Sequence, residues 1–151
     1  MNILHVYKTY YPDPTGGLQE AIRQIALATK SETVNVRVFC LSPSPIPEKV
    51  TFEEGQVYRY KSWASPSSCD LGLLKSVKGF KENVMWADIV HYQFPWPFAD
   101  ILHFLIFHNK PTVLTYHSDG VEKGILGGVY YWLMKKMLQS MDGVVATLPK
   151  Y

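Results

Sequence analysis

Cysteine is scarce in this chain: there are two in 151 residues, Cys40 and Cys69, in different segments and without CxxC spacing. That spacing excludes a disulfide framework and a cysteine-based zinc site, and it fits a reducing compartment, so the expected location is cytoplasmic. Long hydrophobic runs are also missing. The longest, "ILHFLIF" at 101–107, contains a histidine and falls far short of the roughly 18–20 residues that span a bilayer. The opening "MNILHVYK" has no basic region followed by an apolar stretch, so no secretory signal is expected. Neither charge sign dominates: 15 basic and 13 acidic side chains give a formal net charge of +2, too little to point to nucleic acid. The common catalytic signatures are absent as well. There is no GxGxxG, no GK[ST], no HExxH and no GxSxG. His103 and His108 are five apart on an expected helix, so they do not share a face and no metal site is expected from them.

What is present is a 47% hydrophobic composition with 14% aromatics and a regular alternation of two periodicities. Period-two or continuous apolar runs predict strands at about 2–7, 34–41, 56–61, 88–93, 112–117 and 143–148, the third nearest an edge because its alternate face is polar. Between them, helical spacing appears at 18–28, 71–84, 98–108 and 125–140, and the proline-rich loop "SPSPIPEK" follows the second strand. Strands separated by helices of this length need crossover connections. The expected fold is therefore α/β, a doubly wound Rossmann-like parallel sheet of about six strands with helices on both faces, forming one domain over residues 1–151. In such sheets ligands gather beyond the carboxyl ends of the strands. The loops to search are "KTYYPDPTGG", "FPWP" and "HSDGVEKG".

Gly16 and Gly17 stand directly before the first helix, where free backbone N–H groups and the positive end of the helix dipole suit an anion. A plain turn is the competing reading of that pair. In "TYHSDG", His117 and Asp119 lie just past the fifth strand, where a histidine suits contact with a substrate near its reacting centre and where Ser118 and Asp119 equally suit a helix cap. His5 and His91 sit inside strands and read as satisfied core histidines. On the second helix, Lys75, Lys78 and Lys81 flank an apolar arc of Leu74, Val77, Phe80 and Val84, a pattern shared by interfacial membrane helices and by ordinary solvated faces; Gly79 weakens that helix. The fourth helix, "VYYWLMKKML", is apolar on most sides, so it is either buried in the core, the default reading, or meets a membrane or another domain.

Four segments carry a family resemblance. "YYPDPTGGLQEAIRQIA", "ADIVHYQFPWP", "KPTVLTYHSD" and "MDGVVATLPKY" resemble, in order and spacing, the N-terminal half of the family 4 glycosyltransferases, retaining sugar-nucleotide enzymes of GT-B fold. The resemblance implies a two-domain enzyme whose N-terminal half binds mostly the acceptor and whose C-terminal half binds mostly the nucleotide sugar. By position it assigns Gly16 and Gly17 to the donor diphosphate and His117 to the transferred sugar, with Asp119 in the same loop. It implies no cofactor and no metal beyond the nucleotide-sugar substrate, and a glycan or lipid-linked acceptor in bacterial surface polysaccharide synthesis, with the protein cytoplasmic or peripheral at the inner face of the membrane through Lys75, Lys78 and Lys81. Trp63, Trp96 and Phe98 are the expected stacking platforms for acceptor sugars. Because the family's nucleotide-sugar domain has no counterpart in these residues, the chain by itself is expected to be inactive. Two other readings fit the same fold: a non-catalytic Rossmann-like interaction module, and a sugar-nucleotide epimerase of GT-B arrangement.

Overall fold

The computed structural model describes residues 1–14, 16–64, 70–117 and 125–147. Along the chain run β1 (Asn2–Val6), α1 (Gly17–Thr29), β2 (Asn35–Ser42), β3 (Lys49–Thr51), β4 (Gln56–Ala64), β5 (Leu71–Gly72), α2 (Leu74–Trp86), β6 (Ile89–Phe94), α3 (Pro97–Leu105), β7 (Thr112–Tyr116), α4 (Ile125–Ser140) and β8 (Gly143–Ala146). The sheet order is β3-β4-β2-β1-β6-β7-β8, with β5 paired to β4. All six expected strands are present, and every pairing among them is parallel. Counting only those six, the order is third, second, first, fourth, fifth, sixth, the doubly wound arrangement in which the chain reverses direction beside its first strand. The two additional strands, β3 and β5, are short and antiparallel to β4, and so place the third expected strand just inside the edge.

Pairing with β5 also explains where α2 begins. Leu71 and Gly72 are held against Ala64 and Ser62, so helical geometry starts only at Leu74. Gly79 within that helix is buried, and a Cβ there would sit 2.1 Å from the Tyr60 ring. The glycine that costs helix propensity is what lets α2 approach the sheet.

Two clusters of buried side chains lie on opposite faces. Leu4, Val6, Phe39, Leu41, Val90, Tyr92, Phe94 and Leu114 pack under Phe80 and Val84 of α2, Ala99 and Leu102 of α3, and Met134 and Met137 of α4. On the other face Val38, Cys40 and Val57 pack with Ile22 of α1 and with Tyr7 and Tyr10. Helix α4 buries only one side: Val129, Tyr131 and Trp132 are exposed, contrary to a helix enclosed by core.

Candidate functional site

In the sheet order β1, β6 and β7 are neighbours, and all three are parallel, so the loops after them share the carboxyl rim. The loop after β1 leads to α1 on one face, while β6 leads to α3 on the other. The diverging connections open a crevice beside β1, which is where ligands bind in sheets of this kind.

The glycine loop is tied down from behind. Tyr10 is buried and its hydroxyl donates to the carboxylate of Glu54 at 2.9 Å, which also faces Arg23 at 3.5 Å. Arg59, 2% exposed, donates to Asp13 at 2.8 Å, to the Ser42 hydroxyl at 3.0 Å and to the carbonyls of Ser44 and Pro47. Such a buried cation is tolerable only because its hydrogen bonds replace water. Sequence reading missed Arg59, since a lone arginine in an alternating strand carries no signal of what lies beyond it. At the front of the loop, Gln19 accepts from the Gly16 backbone N–H at 3.0 Å and donates to the Thr9 hydroxyl at 2.7 Å, strapping the helix start to the end of β1. Gly16, as N-cap residue, has no side chain with which to cap the first turn of α1, and Gln19 takes up the Gly16 N–H in the manner of a capping box.

Neither glycine is required by backbone strain or internal crowding. Gly16 has an extended φ of −130°, and a Cβ at Gly17 would meet nothing within 4 Å. Both are exposed. The space a side chain would fill lies outside the chain itself, over the helix N-terminus, and that is where an incoming anion would approach.

At the end of β7, the His117 backbone N–H donates to the Phe94 carbonyl at 3.3 Å. Its ring Nε2 lies 2.8 Å from Gln93 Oε1. Gln93 in turn reaches His5 Nδ1 at 3.5 Å; the His5 and His91 rings are 4.9 Å apart, and His91 Nε2 meets the Thr115 hydroxyl at 2.7 Å. Burial holds the His117 pKa below the usual histidine value, so at neutral pH the ring is uncharged. Burial, then the neighbouring His91, pushes His5 down to about 3; burial, then His117, pushes His91 down to about 4. His5 departs from the reading of a satisfied core histidine, because its buried Nε2 has no hydrogen-bond partner among the described residues.

Other expected site residues part company. Asp119 lies outside the described residues, as does Cys69. Trp63 is 70% exposed near the end of β4 and presents a free ring. Trp96 and Phe98 do not: Trp96 is 1% exposed, donates its indole N–H to the Asp70 carbonyl at 2.8 Å and packs on Phe39 and Phe98. Both rings are core, because Pro97 starts α3 and turns them inward against the sheet. On α2, Lys75 pairs with Glu48 and Lys78 lies 3.9 Å from Glu82, while Phe80 and Val84 of the apolar arc are buried. An inserted interfacial helix needs that arc outward, so α2 has the solvated face of an ordinary amphipathic helix.

A concavity of about 460 Å³, lined by His103, Phe104, Phe107, His108, Lys110 and Asp142 among others, opens where β7 begins and thus at the opposite rim from the glycine loop. Helix α3 ends at Leu105, and the chain folding back brings His108 to the Tyr92 hydroxyl, 3.5 Å away, with His103 at 3.1 Å on its other side. Helical spacing does not govern that pair. Among the described residues no group of three metal-ligating side chains is present.

Comparison with known proteins bears on the family and the fold. The model of Glycosyltransferase Family 4 matches residues 15–149, and the chain belongs to that family. It is 39% identical over 151 residues to the D-rhamnosyltransferase WbpZ of Pseudomonas aeruginosa and 38% identical over the same length to the O-antigen chain mannosyltransferase C of Escherichia coli. All of the chain is aligned in both cases, and it spans 39% and 40% of those relatives' lengths. The structure of a sucrose-phosphate synthase from Thermosynechococcus elongatus superposes with a TM-score of 0.70 at 16% identity, covering 99% of this chain and 43% of that one. At that identity the likeness concerns the fold, which is that of one half of a GT-B glycosyltransferase.

Proposed function

We propose that this chain is the acceptor-side, N-terminal domain of a retaining glycosyltransferase that moves a hexose from a nucleotide sugar to a glycan or lipid-linked acceptor in bacterial surface polysaccharide synthesis. The observation that carries it is the placement of an anchored His117 on the same rim as the start of α1, where Gly16 and Gly17 bring no side chain over the helix end. The two relatives, a rhamnosyltransferase and an O-antigen mannosyltransferase, supply the reaction class. Gly16 and Gly17 receive the donor diphosphate, whose charge grows as the glycosidic bond breaks, and the helix N-terminus stabilises that charge. His117 contacts the transferred sugar, and Asp119 belongs to the same loop. The base and sugar of the donor are held mostly by a second domain beyond these residues, so this chain alone turns over no substrate. No metal is called upon, and turnover of the two-domain enzyme should be unchanged by EDTA.

The test is His117→Ala in a protein extended to the length of its relatives. Sugar transfer should fall on the order of 10²-fold or more with the circular dichroism unchanged. Undiminished transfer would remove His117 from the site, whereas a full-length protein that transfers no sugar even without the substitution would leave the non-catalytic module as the better reading. An epimerase would instead interconvert the nucleotide sugar with no acceptor present. The proposed site of action is cytoplasmic, with peripheral contact at the inner face of the membrane that is electrostatic rather than inserted, because α2 exposes Lys75, Lys78 and Lys81 while burying Phe80 and Val84 of its apolar arc. Neutralising all three should weaken co-sedimentation with anionic liposomes by about 1 kcal/mol per lysine. Equal binding by the triple variant overturns that contact.

A further inference from the structure

Strands β1, β6 and β7 send alternate side chains to the two faces of the sheet, and on one face the choice of residue is unusual. Where the opposite face has Leu4, Val6, Val90, Tyr92, Phe94 and Leu114, this face carries His5, His91, Gln93 and Thr115. His5 is fully buried, Gln93 is 1% exposed and Thr115 3%. Burying polar side chains in a sheet interior costs stability unless each finds a partner, and a valine in any of these positions would avoid the cost. Among the described residues the group does not recover it fully, since His5 Nε2 has no partner there. A row held at a loss in stability, rising strand by strand and ending on the side chain at the rim, calls for a role at that rim.

We propose that Gln93 is a positioning residue for His117: its side-chain carbonyl accepts the Nε2–H of His117, fixing the ring plane and leaving Nδ1, with its lone pair, as the ring atom presented to the substrate. The distances set the direction of the chain. Gln93 Oε1 is 2.8 Å from His117 Nε2, and the amide nitrogen faces His5 Nδ1 at 3.5 Å. An amide that accepts on one end donates on the other, so His5 Nδ1 is an acceptor and Gln93 is itself held in orientation from below. His91, beside His5 and bonded to Thr115, closes that pocket laterally. The backbone hydrogen bond from His117 to Phe94 fixes the Cα, and the Gln93 contact fixes the ring. A histidine held at both ends meets a sugar hydroxyl without paying to order itself first.

This inference rests on the role proposed for His117, and its test separates the two. Long-range ¹H–¹⁵N spectra of the protein should show His117 as a single Nε2–H tautomer; a dominant Nδ1–H form overturns the inference without any variant. Gln93→Met keeps the volume and removes the acceptor, and should turn His117 into a mixture of tautomers. In the two-domain enzyme the same variant should lower kcat on the order of 10²-fold while the donor KM moves less than about threefold. A merely structural glutamine would lower the melting temperature and leave tautomer and kcat alone, and that result overturns the proposal. If His117→Ala abolishes transfer while Gln93→Met retains both tautomer and turnover, the positioning role fails and the functional reading survives; if His117→Ala transfers sugar normally, the roles of His117 and Gln93 both fall.

Discussion

The two faces of the sheet are built from the same strands and do different work. Over the face covered by α2, α3 and α4 the packing is dry and aromatic: Phe39 meets Phe80 edge-on at 5.3 Å, Phe94 stacks on Tyr116 at 4.6 Å, and Trp96 fills the space beneath. The other face begins as a small apolar cluster under α1 and changes, from β1 across β6 and β7, into hydrogen-bonded histidines, glutamine and threonine. One residue step along a strand separates the two regimes, because successive side chains point to opposite faces. The difference teaches that stability and chemistry are divided by face rather than by segment: β6 contributes Tyr92 and Phe94 to the core and His91 and Gln93 to the site.

Buried and partly buried titratable groups lie on both faces, His5 and His91 on the polar one and His103 and Asp100 on α3, and they make the fold sensitive to acid. His5 is held down at about 3, and His91 and His103 at about 4, in each case chiefly by burial. Each binds its proton more readily in the unfolded chain, so the stability they contribute is full above the ordinary histidine value of 6.5 and is lost as pH falls from there towards 4. Asp100 acts in the opposite sense. Burial raises its carboxyl to about 7, so its favourable contribution is present at low pH and is lost as pH rises through 7. Urea midpoints should therefore fall between pH 7.5 and 4.5 by an amount on the order of a few kcal/mol, and Asp100→Asn should fall more steeply, because it lacks the opposing term. A flat profile in that variant would show that the buried histidines do not resist protonation.

The dry face is probed by Gly79→Ala. On an exposed helix this change gains about 1 kcal/mol. Here the new methyl enters the Tyr60 ring, and a loss of about 1–3 kcal/mol in urea denaturation is expected. A gain would mean that α2 stands farther from the sheet than described. The smallest effect on stability belongs to the rim. Gly17→Ala occupies open space at the first turn of α1 and should change stability by less than about 0.5 kcal/mol. The same variant should raise the donor KM of the two-domain enzyme, since the methyl occupies the approach to the helix N-terminus. Unchanged KM would move the diphosphate away from Gly17.

Much of this was legible before any coordinates. The six parallel strands and four helices follow from period and punctuation, because burial on both faces of a strand and on one stripe of a helix leaves distinct apolar repeats. The carboxyl-rim position of the glycine pair and of His117 was legible, the pair standing at the start of the first helix and His117 one residue past β7. What stayed hidden depends on neighbours distant in the chain. Trp96 and Phe98 have the composition of a stacking platform, and only their contact with Phe39 and Asp70, on other elements, makes them core. His103 and His108 look unrelated on a helical wheel and meet at Tyr92 because the helix stops early. Arg59 and Gln93 give no local signal at all, since each acts through partners more than ten residues away.

The sequence by itself determined the α/β class, the strand order's raw material and the loops from which a site must come, because these follow from local patterning and chain connectivity. Only the tertiary structure decided which polar side chains stand together. His5, Gln93 and His117 are separated by 88 and 24 positions along the chain and become one hydrogen-bonded row when β1, β6 and β7 lie side by side. Registry between non-adjacent strands is set by the packing of both faces at once, and no single segment carries it.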